Sequence, residues 1–284
     1  MKNRFWLTAV MAAAGVALLA ASFAGGAASA PAKSEAKGGT LRVDSRSDFD
    51  YIDPALAYFT HSWQVLYATD LRLLGFPDQE GAAGSKMRPE AAAAMPTVSK
   101  DGKTYTFTVK QGFRFSDGKP VTAANFAAAL NRALNPKMQS PAASFLEDIV
   151  GAKAVLDGKA TRASGITVRG NTLTIKLSKV APDFLSRMTM PFFSAIPVDL
   201  PIVPEGVQAP RVSAGPYYVK QWTPQRSALI VRNPFWNNNK EPWKSLQRPA
   251  NVNQIAYTFG NSLEATKLRI DKNETDLGGV PTSA

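Results

Sequence analysis

The chain has 284 residues, with 33 lysines and arginines against 22 aspartates and glutamates, one histidine and no cysteine, for a formal net charge of +11. The lack of cysteine excludes a disulfide framework, a thiolate metal site and a cysteine nucleophile, so a fold outside the cytoplasm must rest on its hydrophobic core. The basic charges are scattered, without a basic run or an aromatic–basic stripe. That argues against a nucleic-acid partner and favours a basic soluble surface, with weak attraction to anionic lipid or wall polymer as the next reading.

At the N-terminus, Lys2 and Arg4 precede an apolar run over 5–24 that closes in small residues around Ala28-Ser29-Ala30. This is the pattern of a secretory signal peptide over 1–30, with a cut after Ala28, Ala30 or Ala32; an uncleaved membrane anchor is the alternative. Without cysteine, a lipid anchor on a thiol is excluded. The small, polar and charged stretch 31–39 reads as a flexible leader. The remaining chain, from Thr40 onward, is long enough for one large or two modest domains.

Thr40–Asp44 alternates as a strand and Asp53-Pro54 marks a turn. Trp63, Leu66, Tyr67, Leu71 and Leu74 fall at helical spacing, predicting a helix over His61–Leu74 stopped by Gly75. A polar, glycine-rich loop spans 78–87. Asp101-Gly102 between strand formers signals a hairpin, Thr97–Ser99 with Tyr105–Val109. A second hairpin joins Ile166–Val168 to Leu173–Leu177. Ser140-Pro141 opens a helix that runs through Ala143–Leu156, interrupted at Gly151 and ended by Gly158. A shorter helix covers Pro182–Met188, and four prolines with Gly206 make 197–210 an extended connector. Further strands are expected at Tyr217–Trp222, Ala228–Arg232 and Ile255–Phe259. A helix over Ser262–Lys272 buries Leu263, Thr266, Leu268 and Ile270 in part, and Thr275 begins a last strand. The mixed order with hairpins in the first half predicts an α/β fold of mixed-sheet, α+β character.

Phe113 to Thr122 is the densest stretch. Phe113 and Phe115 face one side of a short strand, Asp117-Gly118 turns the chain, and Pro120 is expected to block further pairing. Thr122 caps a helix carrying Phe126, Leu130 and Leu134, with Asn125 as the third helical residue. This segment resembles the one that marks extracellular solute-binding proteins of family 5, the oligopeptide- and dipeptide-type receptors of ABC importers. Other stretches resemble that family in order: Leu41–Asp44 with Asp53-Pro54-Ala55, Arg88–Ala92, Ser213–Tyr217, Arg232–Trp236 and Leu268–Leu277. Asn125 stands where the family usually has an acid, which weakens the capping box, and Asn273 where it usually has glycine. Ser140–Leu146 and Trp236–Asn238 resemble the oligopeptide branch, although Ala142 replaces its usual cleft aromatic.

The resemblance implies a periplasmic binding protein-like type II fold. In it, 40–75 and 205–284 form a discontinuous first lobe and 76–204 an inserted subdomain, with the second lobe and the returning segment missing. It implies a monomeric, non-enzymatic component in the periplasm or on the extracellular face of a bacterial membrane. Such a component captures short peptides for ABC permease subunits without a cofactor. Non-peptide solutes of the same family (metal chelate, sugar, opine) and a secreted wall-interaction protein are the alternatives.

Tyr58, Phe59, Thr60 and His61 follow the Asp-Pro turn and are the ligand-binding candidates; in the resemblance this segment offers backbone groups to an extended peptide. The bland alternative packs Tyr58 and Phe59 into the lobe. His61 has no partners at metal-ligand spacing, so no metal is expected. A catalytic triad would have to use His61, and no serine sits in an elbow context. Asp48, Asp50 and Asp53 read as a solvated turn. Trp222 and Trp236 read as core, Trp243 as a candidate cleft residue, and Gly215 as a backbone requirement.

Overall fold

The computed structural model describes residues 37–246 and 248–282. The expected signal peptide over 1–30 and most of the 31–39 leader lie outside them. In chain order the elements are β1 (Thr40–Ser45), α1 (Thr60–Thr69), β2 (Leu74–Gly75), α2 (Gly81–Gly84), β3 (Arg88–Pro89), β4 (Thr97–Val98) and β5 (Thr104–Thr108). Then come α3 (Ala123–Leu134), α4 (Ala152–Leu156), β6 (Ile166–Arg169), β7 (Thr172–Lys176), α5 (Phe184–Arg187), β8 (Tyr217–Thr223), β9 (Ser227–Arg232), β10 (Gln254–Phe259), α6 (Leu263–Asp271) and β11 (Leu277–Gly278).

Two principal sheets organise these strands. A four-stranded antiparallel sheet has the order β4-β5-β7-β6, and a five-stranded mixed sheet the order β11-β1-β10-β9-β8. In the first, period-two alternation sends Tyr105, Phe107, Leu173 and Ile175 inward and the intervening threonines outward. Phe126, Leu130 and Leu134 recur every four residues on α3 and join the same core cluster, all fully buried or nearly so. Each such side chain removed from water contributes about 1.5–3 kcal/mol. In the second sheet, β1 runs parallel to both β10 and β11, while β8 and β9 form an antiparallel hairpin. Its core joins Val219, Ile230 and Phe259 to Phe49, Ile52 and Val65.

Both predicted hairpins form. At the first, Asp101 Oδ1 accepts from Lys103 N at 3.1 Å and Gly102 takes φ +69°. Several expectations are corrected. The first helix ends at Thr69, not Leu74. Leu71, Leu73 and Leu74 are buried from an extended segment whose carbonyls accept from Ala195 N (at Leu71) and Glu90 N (at Leu73); tertiary pairing overrides the helical spacing. The 141–156 region is a 3-10 helix over Pro141–Leu146 and a separate α4, with Gly151 at φ +84° between them. On α6, Leu268 is 53% exposed, while Thr266 is buried.

Phe113–Val121 forms an isolated bridge between Arg114 and Pro120, not a regular strand. Pro120 does not end the pairing, because Val121 N still donates to Phe113 O and Phe115 N to Lys119 O, both at 2.9 Å. The proline sits at a position whose N–H the ladder does not need. Nor does Asn125 weaken the capping box with Thr122, which is complete. Its Oδ1 accepts from Thr122 N at 2.8 Å, and its Nδ2 donates to Ile196 O at 2.8 Å, a bond an ionised carboxylate cannot make.

Candidate functional site: an aromatic ledge at the start of α1

The chain reaches the ledge through a turn that is anchored, not solvated. Asp53 is fully buried, its two carboxylate oxygens each receiving an Arg132 guanidinium N–H at 2.7 Å, with Ala55 N and Val207 N also donating to it. Asp48 accepts from Trp222 Nε1 and Gln225 N. Asp50 Oδ2 accepts from Tyr58 N at 2.7 Å and Phe59 N at 3.0 Å, while Asp50 N donates to Ser62 Oγ. The three carboxylates satisfy backbone donors that the tight turns leave over, which is why an aspartate-rich stretch occurs here.

That clamp presents the side chains outward. Tyr58 is 57% exposed and Phe59 56% exposed, so neither ring is buried. Thr60 opens α1, and the His61 ring lies 6.0 Å from the Phe59 ring, edge to face. Behind them the rings form a continuous set: Tyr58 stacks on Phe192 at 6.0 Å, Phe192 on Phe145 at 6.2 Å, and Trp63 meets Phe192 edge-on at 5.3 Å. Trp63 Nε1 donates to Ala57 O, which fixes the indole against the turn.

The four predicted residues are therefore contiguous at one surface, but their backbone is less available than expected. The N–H groups of Tyr58 and Phe59 go to Asp50, and Phe59 O accepts from Trp63 N. What the ledge offers is chiefly aromatic surface. Sequence reasoning did not identify Trp63, Phe192 and Phe145 as its support. They come from three separated segments, and only the aromatic pair Phe192-Phe193 after Pro191 hinted at a local cluster.

The other candidates fall where packing takes them. Trp222 and Trp236 join the second core; Trp243 lies edge-on to Phe113 at 6.2 Å, its Nε1 buried without a hydrogen bond. Ala142 is fully buried in the first core. At Gly215 a Cβ would stand 2.5–2.7 Å from the backbone of Thr69 and Asp70, so this glycine answers a close approach. Among the described residues no group of three or more His, Asp or Glu is placed to hold a metal ion.

Residues 86–284 match the family model described as bacterial extracellular solute-binding proteins, family 5 middle. The chain belongs to that family. It is 28% identical over 291 residues to the oligopeptide-binding protein OppA of Bacillus subtilis, covering 99% of this chain and 50% of the relative. It is 30% identical over 177 residues to the periplasmic oligopeptide-binding protein OppA of Escherichia coli, covering 60% of this chain and 31% of that one. Among solved structures, clavulanic acid biosynthesis oligopeptide binding protein 2 superposes with a TM-score of 0.78 at 24% identity, over 88% of this chain and 46% of the other. The fold is that of type II periplasmic binding proteins, and this family 5 chain spans about half the length of the Bacillus relative and of that solved structure.

Proposed function

We propose that this chain is the first-lobe part of the substrate-binding component of a peptide-type ABC importer. It would act in the periplasm or on the extracellular face of a bacterial membrane, after export by its N-terminal signal. Residues 40–75 and 205–284 make the lobe, and 76–204 its inserted subdomain. Tyr58, Phe59, Thr60 and His61 face the solute. The solute is a short peptide, the downstream partners are ABC permease subunits, and the receptor works as a monomer without a cofactor or a reaction of its own. The energy of transport comes from the ATPase partner. Solute contacts to two lobes favour the closed state, and closure delivers the solute.

The observation that carries this reading is the pair of adjacent aromatic rings, both more than half exposed, on a segment whose backbone is pinned by Asp50. Large apolar surface held rigidly in the open is costly unless it meets something. Membership of a solute-binding family supports a solute in that role. The test is ligand-dependent thermal stabilisation of the full-length protein that carries this chain, against a library of short peptides. A midpoint raised by peptides supports the reading. No shift from peptides, with a clear shift from a sugar or a metal chelate, overturns the peptide assignment.

A further inference from the structure

Beside the C-terminal end of α1, away from the ledge, a cavity of about 640 Å³ opens. Its walls are largely apolar, with Tyr67, Phe76, Pro89, Tyr217, Leu246 and Pro249 among them. Arg72, Arg88, Glu90 and Arg248 also line it.

The charges around it do not balance. Glu90 accepts from Arg72 Nε at 2.9 Å with one oxygen and pairs with Arg248 through the other. Asp70 pairs with Arg211 at 2.7 Å. Arg248 Nη1 also donates to Asp70 O at 2.9 Å, linking the two pairs. Three guanidiniums thus share two carboxylates. Lys110 Nζ adds another cation, 3.2 Å from Glu90 O, with Glu241 near it as the offsetting acid. Burial lowers the pKa of Lys110, and burial with the nearby Arg72 lowers that of Arg248. Asp78 stands on the rim with Arg88.

The Arg72 side chain is only 7% exposed. Its guanidinium carbon lies 4.3 Å from the Tyr67 ring centroid, and Nη2 sits beside Gly75 at the cavity wall. Among the described residues its Nε is bonded to Glu90, while neither Nη has a protein acceptor and neither is sealed from the cavity's solvent. Donors left over at a cavity wall are free to meet an anion that enters it.

We propose that this cavity is a second ligand site, for a small carboxylate with an apolar or aromatic body. The carboxylate takes the free Nη donors of Arg72, with Arg88 assisting at the mouth, and the body lies against Tyr67, Tyr217 and Leu246. One surplus charge above apolar walls favours a monoanion over a phosphate, which needs more donors. The proposal is independent of the peptide reading, because it uses none of the ledge residues.

The experiment titrates the full-length protein with benzoate, benzyl alcohol and inorganic phosphate at fixed ionic strength, by calorimetry. Benzoate is expected to bind saturably, more weakly as salt rises, with benzyl alcohol and phosphate at least about tenfold weaker. Arg72→Lys keeps the charge but loses the fork, and is expected to weaken benzoate at least about tenfold. Where Arg72→Lys does not fold, Arg88→Glu at the exposed mouth serves instead, with an expected loss of at least about fivefold. Peptide-induced stabilisation is expected to stay unchanged in Arg88→Glu. Failure of benzoate to saturate overturns the proposal, as does equal binding of benzyl alcohol, tighter binding of phosphate, or benzoate affinity unchanged by the substitutions.

Discussion

Asp53 and Arg132 form a two-pronged buried ion pair, both bonds at 2.7 Å, across 79 positions of sequence. Their side chains are 0% and 4% exposed. The pair fastens the turn before the aromatic ledge to α3, and Arg132 Nε reaches on to Pro201 O in the connector. Removing one partner strands the other as an uncompensated buried charge. Arg132→Met is therefore expected to cost about 3–5 kcal/mol, read from the shift in urea midpoint at constant slope. A loss under about 1 kcal/mol would show that the turn is held by its backbone bonds instead.

Asn125 stands where the family usually has an acid, and Asn125→Asp tests why that departure is tolerated. The substitution keeps an acceptor for Thr122 N but removes the donor to Ile196 O at a residue only 6% exposed. The expected loss is about 1–3 kcal/mol near neutral pH. The introduced carboxylate regains a donor when protonated, so the deficit is expected to shrink as pH falls. Denaturation at pH 7 and pH 4 checks both; a more stable variant at pH 7 would overturn the account.

Gly215→Ala places a methyl group 2.5–2.7 Å from the Thr69 and Asp70 backbone, in contact with rigid atoms. The expected cost is about 1–3 kcal/mol. Gly165→Ala, with carbonyl oxygens at 2.6 and 2.9 Å, is expected to behave alike. A thermal melt of each variant is sufficient, and an unchanged midpoint for Gly215→Ala would mean that the end of α1 can move away from the segment before β8.

Arg42 on β1 grips Asp276 just before β11, with bonds of 2.6 to 3.0 Å. This holds the Asp276 carboxyl down at about 2, first through the Arg42 side-chain hydrogen bonds. A depressed folded pKa gives stability that is present above the unfolded value near 4 and lost as pH falls toward 2. The pair is solvent-facing, so the effect is small and screened by salt. Asp276→Asn is expected to lower stability at pH 7, and its gap from the parent to close between about pH 4 and pH 2. A gap that stays constant across that window would remove the pair as its cause.

Tyr58→Ala with Phe59→Ala removes exposed rings, so stability is expected to change little, by about 1 kcal/mol or less. Peptide affinity of the full-length protein is expected to fall at least about tenfold if the ledge meets the solute. Calorimetry with a stabilising peptide checks it. Unchanged affinity in a folded variant would move the site elsewhere.

The sequence by itself determined the elements whose signals are local. Asp101-Gly102 and Gly170 are turn formers between alternating strands, and both hairpins formed. The helix predicted from Ser262 formed as α6, with Ser262 accepting from Ala265 N as its cap. Asn273, standing where relatives usually have glycine, takes φ +57°, which explains that preference in backbone terms. The tertiary structure decided whatever depends on partners far along the chain. β1 pairs with β10 more than 200 residues away, and no local pattern encodes that register. Leu71–Leu74 carry helical spacing yet lie extended, because carbonyls there are claimed by Ala195 and Glu90. Asp48, Asp50 and Asp53 look like surface turn residues until Trp222, Tyr58 and Arg132 arrive as their donors. Burial and hydrogen-bond satisfaction are properties of the assembled surroundings, so residue type alone could not assign them.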